Sequence, residues 1–208
     1  LPRNTNSWES GLSNYIISLD HAKRYSDALF VIEKSLDLFP YMKQPRQLRY
    51  NVYVNWSYHL LKSNQFIQGI QVVETGLQKY PKDRRLEQNL RAAYIDQIQI
   101  AVRNSQFKKA TEAITKAKSA LPKEETFDQL SVNVIVESTK GLSLEESVPI
   151  FRKALREKPN NKILVEAFAF VYIDPAQKLA NQRQFLQAIK LLDKGKEVLP
   201  DLHQLLKA

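Results

Sequence analysis

Residues 66–81, FIQGIQVVETGLQKYP, place an aromatic residue, two glycines and a closing proline at fixed distances along one segment. Apolar residues recur in it at helical spacing. Pro81 ends the helix because proline has no N–H to donate and disfavours helix in the residue before it. Gly69 and Gly76 lack side chains that would hold a neighbour away. The segment therefore predicts an amphipathic helix against which another helix packs closely.

This pattern occurs five times. A small residue lies three positions after an aromatic residue or Leu, and a second small residue lies seven positions further on. A proline follows after four more residues. The five sets are Tyr25/Ala28/Ser35/Pro40, Phe66/Gly69/Gly76/Pro81, Phe107/Ala110/Ala117/Pro122, Leu144/Ser147/Ala154/Pro159 and Phe185/Ala188/Gly195/Pro200. Successive prolines are 41, 41, 37 and 41 residues apart. Repeats at such a period indicate a stacked helical array rather than a single globular core.

Each of these closing helices, here called helix B, follows another predicted helix, helix A, after a short polar turn such as 62–65. Helix A has a buried stripe spaced i, i+4, i+7. The five stripes are Leu12/Ile16/Leu19, Tyr53/Ser57/Leu60, Tyr94/Ile98/Ala101, Ser131/Ile135/Ser138 and Tyr172/Ala176/Leu179. We expect helix A to extend by about two turns through 44–50 and 83–90, with a longer loop as the alternative. Five helix pairs predict an all-α solenoid of about ten helices.

The pattern resembles the tetratricopeptide repeat, which has an aromatic residue in helix A followed by an aromatic, two small residues and a proline in the second half. The resemblance implies a right-handed superhelix and one repeat domain over 1–208, with units of approximately 7–40, 44–81, 83–122, 124–159 and 161–200. The glycine that the family carries in helix A is replaced by Ile16, Ser57, Ile98, Ile135 and Ala176.

Two prolines interrupt predicted helices near the C-terminal end. Pro175 lies in the middle of the fifth helix A, where it should kink the helix or restart it with Asp174 as the N-cap. Pro149 should disturb the fourth helix B in the same way but less severely. It lies near the start of that helix, after a capping box formed by Ser143 and Glu146. Units four and five are therefore expected to be irregular.

Three rows of side chains lie on the face of helix A opposite the buried stripe, since two residues along a helix turn the side chain by about 200°. The polar row is Asn14, Asn55, Asp96, Asn133 and Asp174. The middle row is Ile17, Tyr58, Gln99, Val136 and Gln177. The cationic row is His21, Lys62, Arg103, Lys140 and Asn181.

The resemblance implies that helix A lines a concave groove, so that these rows would face a ligand. Amide and carboxylate groups at repeating intervals suit a peptide backbone, and the cations would attract acidic side chains. We predict a protein-interaction scaffold that binds an extended acidic or polar segment of a partner. The predicted contacts are Asn14, Asn55, Tyr58, Lys62, Asp96, Gln99, Arg103, Asn133, Lys140 and Asp174. The alternative is a ladder in which the polar row joins neighbouring helices without a ligand.

Positive charge is concentrated in the middle of the chain. Residues 41–81 carry five basic and one acidic side chain and residues 82–122 carry nine and four, which together equals the net charge of +9. A basic outer patch is predicted at Lys82, Arg84, Arg85, Lys108, Lys109, Lys116 and Lys118. Nucleic acid, an anionic polymer or a membrane surface would be an alternative ligand that binds this patch. In a further alternative, the charge serves solubility alone. A structural spacer that self-associates through its terminal units is a third alternative.

Composition excludes several classes of chemistry. There is no Cys, and three His show no metal-ligand spacing, so we expect no metal, no cofactor and no enzyme activity in this segment. The longest apolar stretch is too short to span a bilayer. The absence of Cys suits an oxidising or a reducing compartment equally. A start at Leu1 rather than Met, and the helix-like DLHQLLKA after Pro200, favour a piece of a longer or processed protein.

Overall fold

The computed structural model describes residues 5–199, with side chains from Ser7 onward. The C-terminal DLHQLLKA segment, Pro200 and His203 lie outside the described residues. Between residues 5 and 199 the chain forms ten α-helices and no strand. Their bounds are α1 Thr5–His21, α2 Tyr25–Leu38, α3 Lys43–Lys62, α4 Phe66–Lys79, α5 Arg84–Arg103, α6 Phe107–Ala120, α7 Thr126–Thr139, α8 Leu144–Glu157, α9 Lys162–Asn181 and α10 Phe185–Val198.

These bounds agree with the predicted helix pairs. Each helix B ends two residues before its proline, at Leu38, Lys79, Ala120, Glu157 and Val198. The residues that precede the buried stripes of α3, α5 and α9 are helical, and each of these helices is 20 residues long. The additional residues therefore extend helix A and do not form a loop.

The chain divides into two compact units, which are described separately. The first ends at Ile100 and also takes in Thr115–Lys123, and the second comprises Ala101–Ile114 and the chain from Glu124 onward. In the first, α1 packs on α2 and α3, α2 packs on α3, and α3 packs on α4. In the second, α7 packs on α8 and α9, and α9 packs on α8 and α10. In the pairs α1–α2, α3–α4, α7–α8 and α9–α10, helix A thus contacts its own helix B, and α3 and α9 also contact the preceding pair.

The small residues of the repeated pattern are all buried, which agrees with their predicted packing role. Gly76 illustrates the reason. A Cβ built on it would lie 3.1 Å from Leu86 Cδ1 and 3.3 Å from Tyr53 Cβ. Because close-packed interiors leave no room for added atoms, α4 reaches its neighbours at this point only with a glycine-sized residue.

Replacing Gly76 by Leu should lower the free energy of unfolding by about 1–3 kcal/mol, because the larger side chain overpacks this contact. Gly11, within α1, is the matched control, since nothing lies within 4 Å of its added Cβ. Gly11→Ala should raise stability by about 0.5–1 kcal/mol through helix propensity. Urea unfolding followed by circular dichroism measures both. Equal effects of the two substitutions would contradict the packing role of Gly76.

The turns from helix A to helix B share a backbone conformation that the sequence did not indicate. Lys23, Asn64, Ser105 and Arg183 have φ between 55° and 61°. In the second pair, Gln65 N–H donates to Leu60 O at 2.9 Å and Asn64 N–H donates to Leu61 O at 3.0 Å. This is the Schellman arrangement, for which glycine is the usual residue. Asparagine is the only one of these four residue types that commonly adopts this conformation, so three of the four turns carry no signal for it.

Of the two outcomes predicted for Pro175, a restart of the fifth helix A at Asp174 is wrong. Helix α9 continues through Pro175, and the N-cap is Asn161, whose side chain accepts a hydrogen bond from Leu164 N–H at 3.0 Å. Phe168, Tyr172 and Ala176 are buried on both sides of the proline. Packing of this long helix therefore holds it together despite the lost backbone bond.

The predicted capping box of α8 is present. The hydroxyl of Ser143 accepts from Glu146 N–H, and a carboxylate oxygen of Glu146 accepts from Ser143 N–H at 2.9 Å. The hydrogen bonds from Ser143 hold the pKa of Glu146 below its usual value. Pro149 lies inside α8, which continues to Glu157.

Candidate functional site

The three predicted rows lie largely in solvent. All members of the polar row and the cationic row are exposed. In the middle row only Val136 is half-buried, while Tyr58 is 56% exposed. The face opposite the buried stripe of each helix A is thus free of core packing.

A cleft of about 340 Å³ lies between α1 and α3. It brings Asn14 of the polar row and Ile17 of the middle row together with the N-terminal extension of α3. One edge is fixed by the hydroxyl of Ser13, which donates to Gln44 Oε1 at 2.8 Å. The complete lining is Ser10, Ser13, Asn14, Ile17, Gln44, Gln47 and Leu48. Amides and hydroxyls beside two aliphatic side chains can bind a peptide backbone and a small apolar group.

The sequence reading missed most of this lining. Gln44 and Gln47 were recognised only as part of a helical extension, because the position of that extension beside α1 depends on how the pairs stack. Amphipathic spacing within 44–50 was the one available signal, with Leu48 marking the inner side. Ser10 is exposed and resembles any polar helix surface, whereas Ser13 is buried.

Asn55 has a partner inside the protein. Its Nδ2 donates to Asp20 Oδ2 at 2.7 Å, joining α3 to α1. The other carboxylate oxygen of Asp20 is buried and has no hydrogen-bond partner. The ladder alternative thus describes one contact of Asn55, whose side chain is otherwise exposed. Asp20 was not singled out from the sequence, because its repeat equivalents Leu61 and Val102 are apolar.

Other predicted site residues form local pairs on their own helices. The ammonium of Lys62 lies 5.5 Å from the centroid of the Tyr58 ring, a cation–π distance. Lys140 Nζ lies 2.7 Å from a carboxylate oxygen of Glu137. Both pairs are exposed, so they orient the side chains at little energetic cost.

In the first unit, α5 is the next helix A after α3. The amide of Asn89 donates to the hydroxyl of Ser57 at 2.8 Å, which satisfies a fully buried Ser in the middle of α3. Asp96 and Gln99 lie further along α5 and are exposed. In the second unit α7 and α9 are adjacent and carry Asn133 and Asp174, both exposed. Arg103 is also exposed.

A second cleft, of about 600 Å³, lies on the first unit among α4, α5 and the end of α6. Its polar centre is Tyr94, whose hydroxyl donates to Glu74 Oε1 at 3.4 Å. Burial, together with the Glu74 charge, raises the pKa of Tyr94 to about 12. Ile67 and Lys116 line its edges. None of the predicted groove residues contributes to it.

The predicted basic outer patch is distributed between turns and helix surfaces. Lys82, Arg84 and Arg85 lie in and after the turn into α5, and the other members lie on α6. All are exposed except Lys118, which is half-buried. Lys82 has a φ of 62°. Exposed aromatic side chains do not alternate with these cations along α6, whose only aromatic residue is Phe107.

The half-buried side chain of Arg49 joins α3 to its neighbours. Arg49 contacts Glu33 at 3.2 Å, and its Nε donates to the Tyr80 hydroxyl at 3.1 Å. That hydroxyl donates to Arg46 O at 3.1 Å. Burial disfavours the charged guanidinium, but the bonds to Tyr80 and Glu33 outweigh it and raise the pKa of Arg49. The network is structural, because it fastens α2, α3 and the end of α4.

The described part of the chain contains neither a candidate metal cluster nor a helix that could cross a membrane. Within residues 5–199, no group of three or more His, Asp or Glu is arranged to hold a metal ion. No helix in that same part of the chain is both long and apolar enough to cross a membrane.

The described residues define an all-α protein, whose helices pack in tandem antiparallel pairs within each unit. No protein-family model matches the chain, and no curated protein does. The solved structure of MamA AMB-1 is similar at 19% identity, covering 92% of this chain and 93% of that chain, with a TM-score of 0.26. That of MamA MSR-1 is similar at 18% identity, covering 90% and 98%, with a TM-score of 0.25. Neither likeness assigns a function to this chain.

Proposed function

We propose that the protein is an interaction scaffold that binds an extended polar or acidic segment of a partner protein along the exposed faces of its A helices. The observation that carries this proposal is the cleft between α1 and α3, which contains Asn14 and Ile17 from two of the predicted rows. A peptide backbone in the cleft would exchange hydrogen bonds with Asn14 and Gln47, and a small apolar side chain would contact Ile17 and Leu48.

The preference for acidic character comes from the cationic row. Lys62 and Arg103 are exposed, and Lys62 is held beside the Tyr58 ring. A partner side chain that reached Lys62 and Tyr58 would contact a cation and an aromatic face together. Asn55 is exposed, so its amide would contribute while its N–H remains bonded to Asp20. We propose the same kind of contact for Asp96, Gln99, Asn133, Lys140 and Asp174.

An array of random peptides of about ten residues tests the proposal without a known ligand. The Asn14→Ala/Ile17→Ala variant should lose about tenfold or more in affinity for the peptides that wild type selects. Gln68→Ala/Ile67→Ala is the matched control, because it removes an exposed amide and an exposed isoleucine from α4 instead. Loss of binding in the α4 variant alone would place the ligand in the second cleft and contradict the proposal.

A single-stranded oligonucleotide is the second probe in the same experiment. Binding through the basic outer patch would weaken steeply with added salt and would be lost in a Lys108→Glu/Lys109→Glu variant. We expect the selected peptides to bind that variant as they bind wild type. Loss of peptide binding in the Lys108→Glu/Lys109→Glu variant would contradict the proposed binding along the A helices. It would favour an anionic polymer as the ligand.

A further inference from the structure

The contact of α4 with α5 repeats the contact of α2 with α3 at a distance of 41 residues along the chain. Glu33 on α2 corresponds to Glu74 on α4. Tyr53 on α3 corresponds in the same way to Tyr94 on α5. Both tyrosines are buried, and burial together with the charge of the nearby glutamate raises the pKa of each. The two contacts therefore place the same acid and the same phenol in equivalent positions.

In the first contact, two large side chains of α3 pack against α2. Nη1 of Arg49 lies 3.2 Å and 3.3 Å from the two carboxylate oxygens of Glu33. Its Nε donates to the Tyr80 hydroxyl at 3.1 Å. The Trp56 ring stacks on Tyr25 with centroids 6.1 Å apart. Glu33 is therefore paired with a guanidinium from its own chain.

The second contact has a smaller residue without charge or ring at each of three equivalent positions: Leu90 for Arg49, Leu121 for Tyr80 and Gln97 for Trp56. Leu90 is 1% exposed, and its side chain offers no donor. Glu74 is exposed and instead accepts a long hydrogen bond of 3.4 Å from the Tyr94 hydroxyl. The second cleft, of about 600 Å³, includes this pair in its lining. Relative to the first contact, the second keeps the carboxylate, gains space and lacks the guanidinium.

The lining of the second cleft suits a planar group with several donors. Four further acceptors come from three helices: the side-chain amides of Gln71 and Gln97 and the hydroxyls of Thr115 and Ser119. A guanidinium has five N–H donors in one plane, whereas an ammonium has three on a single nitrogen. Ile67 and Ile70 lie on the α4 side, where they would cover the aliphatic stem of an arginine.

We propose that this cleft binds the guanidinium group of an arginine, either the free amino acid or a residue of a partner protein. The guanidinium would pair with Glu74 as Arg49 pairs with Glu33. Lys116 lines the cleft from α6, so its ammonium would bind the carboxylate of free arginine or a backbone carbonyl beside an arginine residue. The site is separate from the exposed faces of the A helices and does not rest on the function proposed for them.

An NMR titration of the isotope-labelled full chain measures this binding and locates it. The probes are L-arginine, N-acetyl-L-arginine methylamide and L-lysine. We expect saturable shifts of the backbone amides around Glu74, Tyr94 and Gln97 with an arginine probe. The dissociation constant should be on the order of 1 mM, because a single solvent-accessible ion pair contributes little. L-Lysine should bind about tenfold more weakly or less, because its ammonium cannot form the planar fork.

Two substitutions test the assignment to this cleft. Glu74→Gln keeps the shape of the side chain but removes its charge, and it should weaken binding of the arginine probes about tenfold or more. Glu112→Gln is the matched control, because it removes an exposed carboxylate from α6 that does not line the cleft. Gln97→Trp introduces the large residue of the first contact and should block the cleft while Glu74 remains. Circular dichroism checks that each variant is folded.

The blocked probe distinguishes the two sources of the guanidinium, because it has neither the ammonium nor the carboxylate of free arginine. Tighter binding of free arginine that Lys116→Gln reduces to the level of the blocked probe would support the free amino acid as the ligand. Equal binding of the two arginine probes would support an arginine side chain of a partner protein.

The inference is overturned if neither arginine probe gives saturable shifts up to about 20 mM, well above the expected dissociation constant. Unchanged binding in both Glu74→Gln and Gln97→Trp would also overturn it, as would equal binding of L-lysine. The Asn14→Ala/Ile17→Ala variant should bind the arginine probes as wild type does. Failure of peptide recognition along the A helices would therefore leave this result unaffected.

Discussion

Replacing Phe168 by Ala should lower the free energy of unfolding by about 3–5 kcal/mol, the range for removing a fully buried aromatic ring. Phe168 is 1% exposed. Its ring stacks on Phe151 and lies 5.8 Å from the Tyr172 ring. The substitution removes the contact between α9 and α8 and leaves a cavity that neighbouring side chains cannot fill.

Phe170 provides a matched control two residues away on the same helix. It is 56% exposed, so Phe170→Ala should change the free energy of unfolding by no more than about 0.5 kcal/mol. Urea denaturation followed by circular dichroism measures both variants. Similar losses for the two phenylalanines would mean that α9 is rotated about its axis relative to the packing described above.

Replacing Pro175 by Ala should raise the free energy of unfolding by about 1–3 kcal/mol. Proline in a helix interior costs about 3 kcal/mol relative to alanine, because it removes a backbone hydrogen bond and its ring contacts the preceding turn. Helix α9 continues through Pro175, so the new N–H would donate to a carbonyl already in helical geometry. Part of the gain is offset by the greater freedom of the unfolded alanine chain.

Pro159 provides the opposite control. It follows the C-cap Lys158 of α8 and is exposed in a turn. Pro159→Ala should lower stability by about 0.4–1 kcal/mol, because a proline compatible with its turn restricts the unfolded chain. Thermal unfolding of the two variants therefore should shift the midpoint in opposite directions. A lowered midpoint for Pro175→Ala would contradict the helical continuity of α9.

The helices and their internal packing could be predicted from the sequence because both depend on local spacing. Small residues seven apart and a following proline fix which side of helix B is buried and where it ends. Gly76 is the clearest case, since its contact with Tyr53 follows from the same spacing. The continuity of α9 could not be predicted, because burial of Phe168 and Tyr172 outweighs the local effect of Pro175.

The candidate site was only partly predictable for a related reason. Exposure of Asn14 and Ile17 follows from helical angle alone, but the Gln44 and Gln47 side of the cleft depends on how α3 lies against α1. The bond between Asn55 and Asp20 depends on the same stacking. Asn55→Ala removes a contact between helices, so Asn14 is the better position at which to test recognition.

Photocrosslinking to an array-selected peptide tests the central proposal most directly. A photoreactive phenylalanine would replace Tyr58 on α3 or Ile67 on α4, which are 56% and 68% exposed. Because both side chains are exposed, neither replacement should disturb the fold. Recognition along the A helices predicts a crosslinked peptide from position 58 and none from position 67. Crosslinking from position 67 alone would contradict it and place the ligand on the B helices.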